Sequence, residues 1–181
     1  MALSRSAARR YAEAAFEIAV RDDALAAWLA AFGVAEERLT GPDVTRLLAS
    51  PAIPAAARVE VLRRLLGDDV TGAPSNLMAL LVRRGRFELL PTVRREFMRL
   101  YRRREGIVEA TATSAIALDA ADLEALEAGL VAMTGQRVEL STDVDASLLG
   151  GVQVRVGDRL IDGSVRGRLQ RLHADLSRLA T

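Results

Sequence analysis

Apolar residues recur every three or four positions through the first hundred residues, and every second position in several stretches after that. From Ala7 to Val20, the residues Ala8, Tyr11, Ala12, Ala15, Ile18 and Ala19 fall on one stripe, with Ala7 and Ala14 beside it. That spacing predicts a helix, and its small side chains predict a face that another helix can approach closely. A second helix is expected from a cap at Asp22 or Asp23 through Leu39, with Leu25, Trp28, Leu29 and Phe32 inward and Thr40-Gly41-Pro42 ending it. Asp43 to Ser50 reads as a short third helix. Pro54 suits the first turn of a fourth, whose apolar face is Val59, Leu62, Leu65 and Leu66 and whose end is Gly67. Ser75 is expected to open a fifth helix carrying Leu77, Leu80, Leu81 and Arg84 up to Gly85. Arg86 to Arg104 is the sixth, with a stripe of Leu90, Val93, Phe97, Leu100 and Tyr101. Residues 1–105 are therefore expected to form a six-helix bundle with short connections.

The period changes at Glu105-Gly106. Val108, Ala110 and Ala112 alternate with Glu109, Thr111 and Thr113, which predicts a strand with one polar face. Asp119 is expected to cap a helix faced by Leu123, Leu126, Leu130 and Met133 and ended by Gly135. Val138 and Leu140 mark a second strand. A hairpin follows: Val152, Val154 and Val156 form one arm, Gly157-Asp158 the turn, and Leu160-Ile161 the return. Gly150 and Gly151 open it, Asp162 or Ser164 caps the next helix, and Val165, Leu169, Leu172, Leu176 and Leu179 stripe that helix. Residues 106–181 are thus expected to be a small two-layer α/β domain: a mixed sheet, both helices on one face, the other face wet. The fold class expected overall is multi-domain, α plus α/β.

Composition narrows the chemistry. Half the residues are apolar and 27% are charged, an ordinary globular mix. All 25 basic residues are arginines and there is no cysteine. Thiolate metal sites and disulfides are excluded. So are a P-loop lysine and a Schiff-base amine. The net charge of +1 hides an asymmetry: residues 1–105 hold eighteen arginines against thirteen acids, and residues 106–181 hold seven against eleven. Two modules with different partners are expected. No apolar run approaches the ~18 residues that span a bilayer. The charges at Arg9, Arg10, Glu13 and Glu17 exclude a signal peptide, so the chain is expected to be soluble.

Candidate reactive groups are few. His173 is the only histidine, and no G-x-S-x-G surrounds any serine. A hydrolase built on His173 is the weakest reading. Asp143-Val144-Asp145 offers two carboxylates but reads as a loop between strands. The glycines from Gly150 to Gly167 lack the G-x-G-x-x-G spacing, and the N–H groups near Ser164 could hold an anion only in competition with Asp162. The arginines from Arg94 to Arg104 read either as a solvated helix end or as a nucleic-acid patch, so a basic helical nucleic-acid-binding adaptor stays open as the alternative.

Four segments, in order and at the right spacing, carry a resemblance. They are Ala8-Arg9-Arg10-Tyr11-Ala12-Glu13-Ala14, then Asn76-Leu77 to Leu90-Pro91, then Tyr101-Arg102-Arg103-Arg104-Glu105-Gly106-Ile107-Val108, and finally Leu149-Gly150-Gly151-Val152 to Val165-Arg166-Gly167-Arg168-Leu169. Over nearly its whole length the chain resembles the delta-subunit family of the bacterial rotary F-type ATP synthase, itself similar to the mitochondrial oligomycin-sensitivity-conferring protein. The resemblance implies a non-catalytic stator subunit without cofactor, metal or nucleic-acid partner. It implies that residues 1–105 bind the catalytic head through amino-terminal helices of the alpha subunits, in a groove of the first and fifth helices. Here those positions are Tyr11, Ala14, Ala15 and Ile18, with Leu77, Leu80, Leu81 and Arg84. Glutamate at Ala15 is expected to weaken that binding without unfolding the domain. Residues 106–181 would bind the b subunits of the peripheral stalk, and the chain would sit peripherally on the cytoplasmic side of the cell membrane within the proton-translocating complex. Gly150, Gly151, Gly157, Asp158, Asp162, Gly163, Ser164 and Arg166 belong to the last matched segment, in a mainly structural role.

Overall fold

Four of the seven aromatic side chains meet at one point. Phe97 stacks on Trp28 at 5.6 Å between ring centroids, lies 5.1 Å from Phe32, and takes Phe16 edge-on at 5.4 Å. Such pairs add stabilisation beyond the area they bury. In the computed structural model, which describes residues 2–170 and their side chains from residue 6 onward, this cluster centres the first of two compact units, Met1–Tyr101. The second unit is Arg102–Thr181. The chain is mostly helical, with one four-stranded mixed sheet.

The first unit contains α1 (Ala2–Arg21), α2 (Leu25–Leu39), α3 (Pro42–Ala49), α4 (Ala55–Leu66), α5 (Gly72–Arg83) and most of α6 (Leu90–Glu105). Their buried faces share one apolar cluster, from Ala8, Ala12, Ala15 and Ala19 of α1 to Val93 and Phe97 of α6. Three expected helix starts are corrected. Neither Asp22 nor Asp23 caps α2. Asp23 turns the chain with a φ of 50°, Arg21 holds the Asp22 side chain, and Ala24 occupies the cap position with no side-chain bond. α5 begins at Gly72 rather than Ser75, because Pro74 fits a first turn where its missing N–H goes unused. A 3-10 turn, Phe87–Leu89, precedes α6, so that helix starts later than Arg86.

Two arginines that sequence patterning leaves on the surface hold this unit together. Arg58 is only 7% exposed, and it donates to the backbone carbonyls of Ile53 (3.0 Å), Leu48 (2.9 Å) and Val82 (3.3 Å). It thereby joins the ends of α3 and α5 to α4. Arg38 of α2 donates to the Leu66 carbonyl at 2.9 Å and to Asp69 at 2.6 Å, placing a cation at the negative C-terminus of α4.

The second unit contains β1 (Ile107–Ser114), α7 (Ala120–Thr134), β2 (Arg137–Val144), β3 (Val152–Val156) and β4 (Arg159–Asp162). The strand order is β2-β1-β3-β4, with β1 and β2 parallel and the other pairs antiparallel. A parallel neighbour requires a crossover, and α7 supplies it. Asp119 caps α7 by accepting the Asp122 N–H at 2.8 Å, and Gly135 ends it with a φ of 67°. Ala110, Ala112, Val138, Val154 and Val156 make the covered sheet face against Leu130 and Leu126. β2 runs on to Val144, past the residues that its apolar alternation marks. The ladder to β1 carries it to Ser114↔Val144, so Asp143 and Val144 belong to the strand and not to a loop. The chain is helical over 165–170; Leu172, His173, Leu176 and Leu179 lie outside the described residues.

Candidate functional site

The small side chains of α1 serve two surfaces. Ala8, Ala12, Ala15 and Ala19 are buried in the core. One step round the helix, Ala7, Arg10, Tyr11, Ala14, Ile18 and Arg21 line an open groove of about 750 Å³. The opposite wall is α5, where Ala73, Asn76, Leu77 and Leu80 repeat at three and four residues, and Trp28 closes one end. On α1 the lining runs from Ala7 to Arg21, about 21 Å at ~1.5 Å per residue. Both walls are therefore helical stripes, the one on α1 about 21 Å long and the one on α5 about two turns. A groove of that form fits a third helix laid between them, and alanines on the floor let its backbone come close.

Of the eight residues expected at such a surface, six line this groove: Tyr11, Ala14, Ala15, Ile18, Leu77 and Leu80. Leu81 does not. It is fully buried in the core, because on α5 it lies on the face shared with Met78 and Val82. Arg84 is exposed at the end of α5 and outside the groove, whose neighbouring cation is Arg86. Ala15 is 2% exposed and part of the core, so glutamate there would be buried and would disrupt the fold. Ala14 is exposed on the groove side and is the substitution that leaves the core intact. Sequence reading missed Arg10, Trp28 and Arg86. For Arg10 the signal was present: it stands one helical turn before Ala14.

A second cleft of about 220 Å³ lies among Phe32, Leu39, Phe87 and Leu90, rimmed by the Glu36–Arg94 pair. It falls below the ~300 Å³ at which small-molecule sites begin. The arginine run is largely tied down. Arg94 pairs with Glu36, Arg99 with Glu96, and Arg102 reaches Glu109 and Glu139, both at 2.7 Å. The last contact has a clear cause: Glu109 and Glu139 are register neighbours on β1 and β2, and Arg102 bridges two like charges that would repel.

The segment from Gly150 to Gly167 is a set of backbone closures. Val165 N–H donates to the Gly150 carbonyl at 2.9 Å and Gly163 N–H to the Val152 carbonyl at 3.0 Å. Gly151 has a φ of 76°, and a Cβ there would meet the Gly163 carbonyl oxygen at 2.6 Å. Gly157 takes the first corner of the β3–β4 turn with a φ of 56°, and Asp158 completes that turn. Ser164, 1% exposed, caps the helical stretch by accepting the Gly167 N–H at 3.0 Å, while Asp162 accepts both the Ser164 N–H (2.9 Å) and O–H (2.7 Å). These N–H groups are taken, so no anion seat opens there. Arg166 donates to the Ser147 hydroxyl at 3.3 Å. Asp145 accepts the Ser147 N–H, which holds its carboxyl below the usual range, and Asp143 lies on the wet sheet face. Among the described residues no group of three or more His, Cys, Asp or Glu is placed to hold a metal. Gly151→Ala is expected to destabilise the second unit by about 2 kcal/mol, through the positive φ and the carbonyl clash. Chemical denaturation followed by far-UV circular dichroism measures it.

Comparison with known proteins agrees with this architecture. Residues 7–176 match the family model described as ATP synthase delta (OSCP) subunit. An ATP synthase subunit delta from Geobacter metallireducens is 35% identical, over 94% of this chain and 96% of its own length. One from Alcanivorax borkumensis is 37% identical, over 98% and 99%. Among solved structures, a chain of the Toxoplasma gondii mitochondrial ATP synthase hexamer superposes with a TM-score of 0.68 at 25% identity, covering 93% of this chain and 96% of that one.

Proposed function

The chain belongs to the ATP synthase delta (OSCP) subunit family, and on that footing we propose that it is the passive link between the catalytic head and the peripheral stalk. It is a subunit of a membrane-associated complex, and no helix among the described residues is long and apolar enough to cross a membrane. In this reading the α1–α5 groove takes the amino-terminal helix of an alpha subunit, and residues 106–181 take the distal ends of the b subunits. The observation that carries the first assignment is the groove itself: an open channel of about 750 Å³ between two helical stripes, apolar on the floor. The second draws support from α7. Ala121, Ala125, Ala128 and Ala132 form one exposed stripe at spacings of four, three and four, and only Leu130 of the helix is buried. An apolar surface of this kind marks a protein contact.

A connector of this type needs no reactive centre. It must resist torque, which asks for a wide interface with slow dissociation. Without any lysine the chain also lacks the residue a P-loop uses on nucleotide phosphates.

The single tryptophan gives a direct test. Trp28 lines one end of the groove, so titrating the full chain with a peptide of the alpha-subunit amino terminus is expected to shift its emission saturably at one peptide per chain. Unchanged emission and no calorimetric heat would remove the assignment. Truncation after residue 105, which keeps α6 whole, is expected to leave a cooperatively melting fragment that binds the peptide with unchanged affinity and no longer co-purifies with b subunits. A fragment that melts without a transition would show that the two parts depend on one another.

A further inference from the structure

The groove carries charge that its apolar floor does not require. Three arginines line it, Arg10, Arg21 and Arg86, against one acid, Asp22. Arg21 is already satisfied, donating to both oxygens of Asp22 at 2.7 and 3.0 Å. That bond holds the Asp22 carboxyl below its usual range, so the pair stays neutral as a unit near pH 7. Arg10 and Arg86 are exposed, and among the described residues no acid pairs with either side chain. One stands on α1, the other in the turn after α5. An occupant lying between the two walls therefore passes two uncompensated guanidinium groups, one on each side.

Resting on the reading above, we propose that the helix this groove accepts bears acidic side chains on both flanks, set against Arg10 and Arg86. These charges govern how fast the helix is captured, and the apolar floor governs how long it stays. Guanidinium groups pair with carboxylates in a fixed fork, so they also set the register of the helix along the groove. Exposed rim pairs act chiefly on association, whereas buried apolar contacts act on dissociation. A basic helix would meet repulsion here. A nucleic-acid strand could meet the arginines but would leave the alanine and leucine floor uncovered.

Stopped-flow measurement of Trp28 emission tests this, using the full chain with a peptide of about 25 residues from the alpha-subunit amino terminus and the same peptide with its Asp and Glu replaced by Asn and Gln. Arg10→Gln and Arg86→Gln are each expected to slow association about 3-fold at about 50 mM NaCl, and together about 10-fold, with dissociation within about 2-fold of the parent. At about 500 mM NaCl these differences should vanish. Asp22→Asn frees Arg21 and is expected to speed association about 2-fold, a gain that a merely structural role does not produce. With the uncharged peptide all variants should behave alike. Equal association rates at low salt, or slower capture by Asp22→Asn, would overturn the proposal. Ala14→Glu separates this outcome from failure of the groove assignment. If it abolishes binding while the arginine variants change nothing, only the charge proposal falls; if Ala14→Glu binds normally, the groove itself is the wrong place.

Discussion

Replacing Arg58 with leucine is expected to lower the stability of the helical unit by about 3 kcal/mol, because three backbone carbonyls lose a charged donor inside the protein. Leucine fills much of the space but satisfies none of them. Hydrogen bonds to charged groups contribute roughly 1.5–3 kcal/mol each, and a buried acceptor left unpaired costs about 1–3 kcal/mol, so even partial compensation by water leaves a large loss. For a unit of this size the melting temperature should fall by more than about 10 °C. Lysine at the same position should recover only part of the difference, since one ammonium cannot reproduce the guanidinium fork. Differential scanning calorimetry of the two variants decides it. A melting temperature within about 2 °C of the parent would mean that the three contacts contribute little.

Ala14→Glu is expected to weaken binding of the alpha-subunit peptide by at least about 100-fold while leaving the melting temperature unchanged. The side chain lies on the exposed, groove-facing side of α1 in the free protein, where a glutamate is well solvated and a good helix former. With a helix seated in the groove the same carboxylate would have to be buried against apolar side chains. An unpaired buried charge costs several kcal/mol in an interface, and 2.7 kcal/mol already corresponds to about 100-fold. The loss should persist at high salt, because it comes from desolvation and volume rather than from long-range attraction. Isothermal titration calorimetry beside circular dichroism separates lost affinity from lost fold.

Elements with strong local signals were legible in the sequence. α7 is bounded by a capping aspartate and a C-terminal glycine, Asp119 and Gly135, and both work as their chemistry predicts. The β3–β4 hairpin turns at the glycine its pattern marked. Where a competing or pairing partner decides the outcome, local signals misled. Asp22 has the chemistry of a helix cap, but the neighbouring Arg21 holds its side chain. The end of β2 lacks alternation because its last residues are exposed, and only pairing with β1 extends it.

The groove was half legible for a geometric reason. A stripe wider than about 100° on α1 signals a helix contacted on two sides, but does not say which edge faces the core. That ambiguity leaves Ala15 at the edge where groove lining meets core, and the same ambiguity on α5 put Leu81 at the groove although it is buried. Arg58 gave no signal at all. Among the arginines of the described residues, the buried one is distinguished only by carbonyls from residues 5, 10 and 24 positions away in the chain.

The absence of cysteine allows the central claim to be tested in the working machine. A cysteine placed at position 14 can be paired with one in the amino-terminal helix of an alpha subunit and oxidised within the assembled ATP synthase. If this chain is a fixed part of the stator, a disulfide-linked pair should form in high yield and ATP-driven turnover should continue at the unlinked rate, because the two joined parts never move past each other. Turnover that stops on oxidation and returns on reduction would contradict the account, as would an exposed cysteine at position 14 that never finds the alpha-subunit helix.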